Sequence, residues 1–437
     1  MDWRDQAGTK LVDPSSAVAP VKSGDTVAVA PFTCTPHTLC DALYQRRSEL
    51  ENVSIEHPAS LYPWLKPGDE NGFKVKTPYA TPLDREAVNS GRIDYFPLAR
   101  FRADGVPPGF TPEPDVYLLP VSPPDRNGFC SFGPGVWFSR TFTRQARTVV
   151  AEVHENFIRT GGENFVHISE IDWLTEAQQP TGAVPVPPRS DEESAVTEVI
   201  CTLVATELVK DRDTMQIGIG TVSSALALYL GDKHDLGMQT EMIPGGVVDL
   251  VQQGVMTGRY KTLHRDRVVG SVLVAMPEEE MRQIDGNPAF ELYEFGYSDD
   301  LRLLIQQDNL VAVNNALFVD LTGQVSSETI GPRIWTGVGG QTAFAIAAQY
   351  SRGGRTITVT PSSHVINGER VTRIVPMLPE GSVVTIPRTM VDFVVTEHGI
   401  ATLHGKTLKE RAGELISVAH PDFREELRKQ AAALYAA

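Results

Sequence analysis

The chain of 437 residues has few of the features that mark several common classes of protein. It contains only four cysteines, Cys34, Cys40, Cys130 and Cys201, and none stands in the C-x-x-C spacing of zinc and redox sites. This excludes a disulfide scaffold and predicts reduced thiols and a cytoplasmic location. The polar amino terminus lacks the apolar core of a signal peptide, and no segment approaches the roughly 20 apolar residues of a membrane span. We therefore expect no membrane partner.

Basic residues are also scarce, since 39 Lys and Arg face 55 Asp and Glu and the net charge is −16. A nucleic-acid binder needs a positive face, and no dense basic run is present, so we expect no nucleic-acid partner. Net charge does not exclude one basic pocket for a phosphorylated ligand, because electrostatic steering is local. The ten histidines form no H-E-x-x-H or His/Cys cluster, and no G-x-S-x-G elbow occurs. The sequence therefore gives no support for a metal hydrolase or a serine hydrolase, and we expect no metal site.

A proline-rich segment over 180–188 is the clearest break in composition. Directly after it, Ser190 and Glu193 have the spacing of a capping box, which predicts a helix that begins near residue 191. We place a domain boundary within 178–190, with an amino-terminal domain over 1–183 and a carboxyl-terminal domain over 190–437. A long internal loop would produce the same composition.

Two patterns occur once in each half of the chain, in the same order. A Lys-x-x-Asp turn that precedes an apolar strand ends at Asp25 and again at Asp213. An apolar strand followed by Asp-x-x-Gly-x-x-Ser leads to Asp125 and again to Asp320. The two matches predict a duplicated α/β architecture, although turn signals in general resemble one another.

Short β-branched runs alternate with helical patterns, which predicts parallel sheets covered by helices. The predicted strands are Thr26–Val29, Thr148–Val153, Met215–Ile219, Leu310–Val313, Thr356–Val359 and Val391–Val395. The predicted helices are Ser194–Lys210, Ser223–Tyr229 and Leu408–Val418. Ligand sites in such folds lie beyond the carboxyl ends of the strands, so we expect the functional residues there.

Two glycine-rich turns follow this rule. Gly218-Ile219-Gly220 follows a predicted strand and precedes a helix, as in a dinucleotide fingerprint, except that Ser223 replaces the third glycine. Gly337-Val338-Gly339-Gly340 precedes a small-residue helix, and its backbone N–H groups are candidate oxyanion donors. Each turn would also suit a purely structural role.

Two polar side chains are candidates for chemistry. Glu241 stands between two methionines ahead of a Pro-Gly-Gly turn, a setting in which a desolvated carboxylate acts as a nucleophile. A solvated surface glutamate is the alternative. Asn314 belongs to an Asn-Asn pair at a strand end, where a turn residue is as consistent as a catalytic one.

Several ordered segments together resemble one family, the acetyl-CoA hydrolase/transferase branch of class I coenzyme A transferases. They include VSPPDRNGFCSFG, DLGMQTEMIPGGVVDL, VNNALFVDLTGQVSSETIG and VVTEHGIATLHGKT, and the resemblance covers nearly the whole chain. It implies two similar open α/β domains with the active site between them. It also implies acyl-CoA and a small carboxylic acid as substrates, no permanently bound cofactor, and a homodimer or higher homo-oligomer.

The resemblance also assigns residues by position. The nucleophilic glutamate of the family falls on Glu241, and an active-site asparagine falls on Asn314. Glu397 matches a second carboxylate position. The coenzyme A turns of the family fall on Gly218, Ile219, Gly220, Thr221, Val222, Gly337, Gly339 and Gly340, of which Gly339 and Gly340 are the candidate oxyanion donors.

The reaction implied is a ping-pong transfer of CoA between an acyl-CoA and a free acid, through a mixed anhydride and a glutamyl-CoA thioester on Glu241. A glutamate is already ionised near neutral pH, because its ordinary pKa is about 4.3, so it needs no general base. An acyl-CoA hydrolase with the same nucleophile is the alternative, since exclusion of water decides between them. A catalytically silent CoA-binding protein is a third hypothesis. A dehydrogenase would rest on the imperfect Gly-x-Gly turn alone.

The sequence departs from the common pattern of the family at several positions. Pro244 and Gly245 follow the nucleophile where an acidic residue is usual, and Ala343 stands where an aspartate is usual. Trp137 lies after the CSFG segment, and Phe32 stands where an early glycine-rich loop is usual. Lost acidic groups and added bulk predict an acid substrate other than acetate.

Overall fold

The computed structural model describes residues 2–66, 72–98, 110–111, 113–181, 189–274, 276–366 and 368–434. The chain forms two compact units. The first comprises Met1–Pro185 and Val269–Ser298, and the second comprises Val186–Val268 and Asp299–Ala437. Both are mixed α/β units built on parallel strands, which confirms the predicted fold class.

The helix predicted after the proline-rich segment is present as Asp191–Leu203. Ser190 Oγ accepts a hydrogen bond from Glu193 N–H at 3.2 Å, and Glu193 Oε2 accepts one from Ser190 N–H at 2.9 Å, so the capping box is confirmed. The predicted boundary within 178–190 stays a prediction, since residues 182–188 lie outside the described part of the chain.

One segment is grouped differently from the predicted division at 183 and 190. Residues 269–298 pack with the first unit, because Val136 N–H donates to Ser271 O at 2.9 Å and Leu273 N–H donates to Pro134 O at 2.8 Å. The rings of Trp137 and Phe295 add an edge contact with centroids 4.9 Å apart. These contacts join residues far apart in sequence, which composition does not reveal.

The first unit contains a seven-stranded sheet in which all strand pairs are parallel. Its strands lie in the order Trp173–Glu176, Thr148–Val153, Val116–Val121, Thr26–Val29, Ser54–Glu56, Lys74–Thr77, Ile93–Tyr95. After the central strand Thr26–Val29, the next three strands of this sheet are added on one side of it. The last three are added on its other side.

The second unit repeats this topology. Its strands lie in the order Gly399–Thr402, Phe393–Thr396, Arg355–Val359, Leu310–Asn315, Thr214–Ile217, Gly237–Gln239. The pairs are parallel except for the antiparallel edge strand Gly399–Thr402. The strand order reverses between Thr214–Ile217 and Leu310–Asn315. In open α/β sheets, ligands bind beyond the carboxyl ends of the strands at such a reversal.

Further helices and short strands complete both units. In the first unit they are the helices Trp3–Ala7, Pro14–Ala17, His37–Gln45, Arg85–Asn89, Ser139–Gln145, Glu278–Ile284 and Phe295–Ser298, the 3-10 helices Gly8–Lys10, Phe32–Cys34 and Ile168–Glu170, and the strands Phe129–Cys130, Gly161–Gly162, Val166–His167, Val272–Val274 and Phe290–Leu292. In the second unit they are the helices Val247–Gln252, Leu301–Leu304, Gln341–Tyr350, Leu408–Val418 and Arg424–Leu434, the π-helix Val204–Leu208, the 3-10 helices Ser223–Tyr229, Arg388–Met390 and Pro421–Phe423, and the strands Met242–Pro244, Phe318–Asp320, Val325–Ser326, Thr329–Ile330, Arg333–Ile334, Ser363–Ile366, Glu369–Thr372 and Ile374–Val375. The strand Val268–Gly270 lies where the chain passes from the second unit to the first.

The repeated Lys-x-x-Asp turn has the same structure in both units, which supports the internal duplication. Asp25 and Asp213 each accept a hydrogen bond from the backbone N–H three residues earlier. Each also pairs with an arginine at the start of an equivalent strand, Arg147 in the first unit and Arg355 in the second. The Arg355–Asp213 pair is buried, whereas the Arg147 side chain is 49% exposed.

The two aspartates should therefore differ in their effect on stability. We expect Asp213→Ala to lower the free energy of unfolding by about 3–5 kcal/mol, because it removes the carboxylate that balances the charge of a largely buried guanidinium. The matched variant Asp25→Ala breaks a partly exposed pair, and its ion-pair component is at most about 1 kcal/mol. Urea unfolding of both variants measures the difference, and equal losses would contradict this account.

Candidate functional site

Glu241 follows the strand Gly237–Gln239 at the carboxyl edge of the second sheet. Its side chain is buried, with 7% exposure, so the alternative of a solvated surface glutamate is wrong. The neighbouring Thr240 Oγ1 lies 3.3 Å from Ile217 O and 3.1 Å from Met242 O. The first contact ties Thr240 to the adjacent strand Thr214–Ile217, and the second ties it to Met242 on the other side of Glu241.

Glu241 lies against the second glycine-rich turn. A Cβ atom on Gly340 would stand 2.3 Å from Glu241 Oε2, so only glycine allows this approach. Gly340 is the N-cap residue of the helix Gln341–Tyr350, whose amino-terminal end carries partial positive charge that favours a carboxylate. Gly339 has a φ of 61°, in the left-handed region where glycine is least strained. Gly337, the first residue of this turn, is buried.

A second carboxyl group, which the sequence reasoning missed, approaches the same glycine. The Cβ position of Gly340 would lie 2.9 Å from Asp299 Oδ2. Asp299 is fully buried, whereas the next residue, Asp300, caps the short helix Leu301–Leu304. The sequence signal was an Asp-Asp pair, which alone does not tell a helix cap from a buried acid.

The first glycine-rich turn interlocks with the asparagine pair at the reversal of strand order. A Cβ on Gly218 would lie 2.6 Å from Asn314 Oδ1, and one on Gly220 would lie 1.4 Å from Asn315 Nδ2. Asn315 Oδ1 accepts a hydrogen bond from Ser223 N–H at 3.2 Å, where the 3-10 helix Ser223–Tyr229 begins. The glycines are therefore required by close packing against side chains of the neighbouring strand.

Asn314 is held in place by a residue that the sequence reasoning also missed. Gln216 Nε2 donates to Asn314 Oδ1 at 3.1 Å, and Asn314 Nδ2 donates to Gln216 Oε1 at 2.9 Å. Both side chains are buried. The only sequence signal for Gln216 was one long polar side chain inside the strand Thr214–Ile217.

The remaining predicted residues differ in their surroundings. Ile219 and Thr221 are exposed at the tip of the first turn, and Val222 is buried beneath them. Arg189 donates a hydrogen bond to the backbone carbonyl of Thr221. Glu397 accepts a hydrogen bond from Ser362 N–H at 2.9 Å, and Ser362 belongs to neither glycine-rich turn.

Comparison with known proteins identifies the family. The models of the acetyl-CoA hydrolase/transferase N-terminal and C-terminal domains match residues 1–186 and 277–431. The 4-hydroxybutyrate coenzyme A transferase of Clostridium kluyveri is 36% identical over 98% of this chain and 99% of that protein. This chain belongs to the acetyl-CoA hydrolase/transferase family. It is an enzyme of the CoA-transferase type, as the resemblance predicted.

Solved structures agree with this assignment over the whole chain. RipA from Yersinia pestis superposes with a TM-score of 0.87 and 31% identity, with 100% of both chains covered. The 4-hydroxybutyrate CoA-transferase from Porphyromonas gingivalis gives a TM-score of 0.78 and 30% identity, covering 99% of this chain and 100% of that one.

A more distant relative by sequence is the acetyl-CoA hydrolase of Eremothecium gossypii, which is 25% identical over 78% of this chain and 72% of that protein.

The described residues also bear on membrane spans and metal sites. None of the helices there has the length and apolar character to traverse a bilayer. Within the same residues, no group of three or more His, Cys, Asp or Glu side chains is arranged to hold a metal ion.

The contact between Gly340 and Glu241 predicts a strong effect of one methyl group. We expect Gly340→Ala to lower kcat for CoA transfer at least about 100-fold, because the new Cβ must displace the Glu241 carboxylate or the start of the helix. The measurement is steady-state transfer between an acyl-CoA and a free acid. The control Gly413→Ala lies within the helix Leu408–Val418 with open space around its Cβ and should leave kcat unchanged. Full activity of Gly340→Ala would refute this placement of the carboxylate.

Proposed function

We propose that the protein is an acyl-CoA:carboxylate CoA-transferase that works by a ping-pong mechanism through a glutamyl-CoA thioester on Glu241. The observation that carries the proposal is the buried Glu241 carboxylate packed against Gly340 at the amino-terminal end of a helix. An ionised carboxylate in this setting is desolvated but stabilised by the helix, as a nucleophile that needs no base must be.

The steps balance without an added acid or base. One Glu241 carboxylate oxygen attacks the thioester carbonyl, the C–S bond breaks, and a mixed anhydride and CoA thiolate result. The thiolate attacks the Glu241 carbonyl carbon and expels the first acid as its carboxylate, leaving glutamyl-CoA. The carboxylate of a second acid then attacks the glutamyl thioester, and the same steps in reverse give the new acyl-CoA.

The glycine-rich turns have distinct roles in this proposal. The Gly339 and Gly340 N–H groups stabilise the oxyanion of each tetrahedral intermediate, and such a donor typically contributes ~2.7–4 kcal/mol. Asn314, fixed by Gln216, orients the acyl group or the acid. The turn over 218–222 holds CoA, so that binding energy far from the reacting carbon is used to orient the thioester.

The names of the relatives suggest which acids to test first. The Clostridium kluyveri relative is named for 4-hydroxybutyrate, and other relatives are named for succinate, butyrate and cyclohexane-1-carboxylate. We propose a short-chain acyl-CoA and a small carboxylic acid as the substrate classes. The expected homo-oligomer, cytoplasmic location and lack of a resident cofactor stay predictions.

The decisive experiment incubates the protein with acetyl-CoA, propionyl-CoA and succinyl-CoA, each with and without a panel of free acids. Mass spectrometry follows new acyl-CoA, free CoA and CoA covalently bound to the protein. We expect new acyl-CoA only when an acid is present, and a covalent adduct on a peptide that contains Glu241. Glu241→Gln keeps the shape of the side chain and should lose both signals, because an amide is not a nucleophile here.

The other outcomes separate the competing hypotheses. Release of free CoA without any acid, lost in Glu241→Gln, would make the protein a hydrolase. Binding of CoA without turnover or adduct would make it a silent CoA-binding protein. Transfer that survives in Glu241→Gln would overturn the assigned nucleophile.

Two aromatic residues of the first unit carry the prediction on acid preference. Phe32 and Trp137 have left-handed φ values of 53° and 51°, an unfavourable conformation for bulky side chains. Their rings meet edge to face with centroids 5.9 Å apart, and both side chains are buried. Strained residues of this kind cluster at functional sites, which supports their role in selecting the acid.

We therefore expect Phe32→Ala or Trp137→Ala to change the ratio of kcat/KM between small and bulky acids by about tenfold or more, since added space favours larger acids. The measurement is a competition between acetate and a branched or cyclic acid. Trp64→Phe removes a structural hydrogen bond to His57 in the same unit and serves as the control. An unchanged ratio in both alanine variants would refute the predicted role.

A further inference from the structure

We propose that Asp299 is a positioning residue for the nucleophile, whose protonated carboxyl group holds Glu241 in its ionised, reactive orientation. The inference rests on the proposed function, because it needs Glu241 to be the nucleophile. It adds to the site a group that lies 58 positions further along the chain.

The geometry brings the two carboxyl groups to one point. The Cβ position of Gly340 lies 2.3 Å from Glu241 Oε2 and 2.9 Å from Asp299 Oδ2. The two oxygens can therefore be no farther apart than the sum of these distances, and both occupy the space that any larger residue at 340 would fill. Exposure is 7% for Glu241 and zero for Asp299, so bulk water screens neither group effectively.

Electrostatics then limits the charge of the pair. Two negative charges at short range in one buried site repel each other, so the arrangement favours one charged and one neutral carboxyl group. The helix that begins after Gly340 offers partial positive charge equivalent to about half an elementary charge, enough to favour one anion. Because the proposed attack requires an ionised Glu241, we assign the neutral state to Asp299.

A protonated Asp299 restricts the nucleophile in two ways. It fills the space beside Glu241 Oε2, which keeps the carboxylate from rotating away from the helix end. It also presents a neutral O–H group rather than a second negative charge, so Glu241 stays anionic. Placement of a nucleophile within about 1 Å decides rate by factors of up to about 100.

The neighbouring aspartate provides a matched control. Asp300 is also buried, but its carboxylate accepts a hydrogen bond from Arg302 N–H at 2.9 Å and pairs with Arg302 Nη2 at 2.7 Å. Its contacts are those of a helix cap, which contributes stability rather than chemistry. Replacing either buried aspartate can lower folding stability. The Asp300 variant therefore controls for that loss.

The experiment compares Asp299→Asn, Asp299→Ala and Asp300→Ala with the wild type. Single-turnover mixing with acyl-CoA measures the rate at which the covalent CoA adduct forms on Glu241. Steady-state transfer separates kcat from KM, and thermal unfolding measures stability.

We expect Asp299→Asn to keep kcat within about threefold, because a neutral amide mimics the protonated acid. We expect Asp299→Ala to lower kcat and adduct rate at least about tenfold, with KM for acyl-CoA changed less than twofold. Asp300→Ala should lower the unfolding temperature but not kcat.

Each outcome is decisive. If Asp299→Asn loses as much activity as Asp299→Ala, the negative charge of Asp299 is needed and the inference is overturned. If Asp299→Ala keeps its adduct rate, Asp299 is structural only. Should Asp299→Ala not fold, Asp299→Ser replaces it, since it leaves a small polar side chain in the same space. Absence of any adduct in the wild type would instead refute the proposed function itself, and with it this role for Asp299.

Discussion

The proposed mechanism depends on one close contact, that between the Glu241 carboxylate and the backbone at Gly340. A buried carboxylate is costly unless fixed dipoles replace its lost hydration. Here the carboxylate lies beside Gly340, the N-cap residue of the helix Gln341–Tyr350, whose amino-terminal end carries partial positive charge. The missing side chain at Gly340 and the backbone contacts around Thr240 all serve to bring this carboxylate to the helix end.

The same principle of close approach explains the rest of the site. Gly218 and Gly220 stand where Asn314 and Asn315 of the adjacent strand need space, so the glycine-rich turn is fitted to the asparagine pair. Glycines in such a turn are commonly explained by the close approach of a ligand. In this enzyme the asparagine side chains of the adjacent strand already require Gly218 and Gly220, and in the proposed function the same turn also binds coenzyme A.

Much of the fold follows from local sequence patterns. The strands Thr26–Val29 and Thr148–Val153 and the helix Leu408–Val418 lie where periodicity places them. The helix predicted to reach Lys210 instead ends at Leu203 and continues as the π-helix Val204–Leu208. The carbonyl of Leu208 accepts a hydrogen bond from Arg355 Nε at 2.9 Å, a partner 147 positions away that local propensity does not represent.

The sequence by itself determined the duplicated α/β architecture, the two glycine-rich turns, and Glu241 and Asn314 as candidates for chemistry, because periodicity and turn residues act over short stretches of chain. Only the tertiary structure decided that Glu241 is buried, that Gln216 holds Asn314, and that Asp299 shares the space beside Gly340. Burial and electrostatic coupling are set by which distant segments meet. Local sequence patterns do not specify these long-range contacts. The packing of the sheet and its helices does.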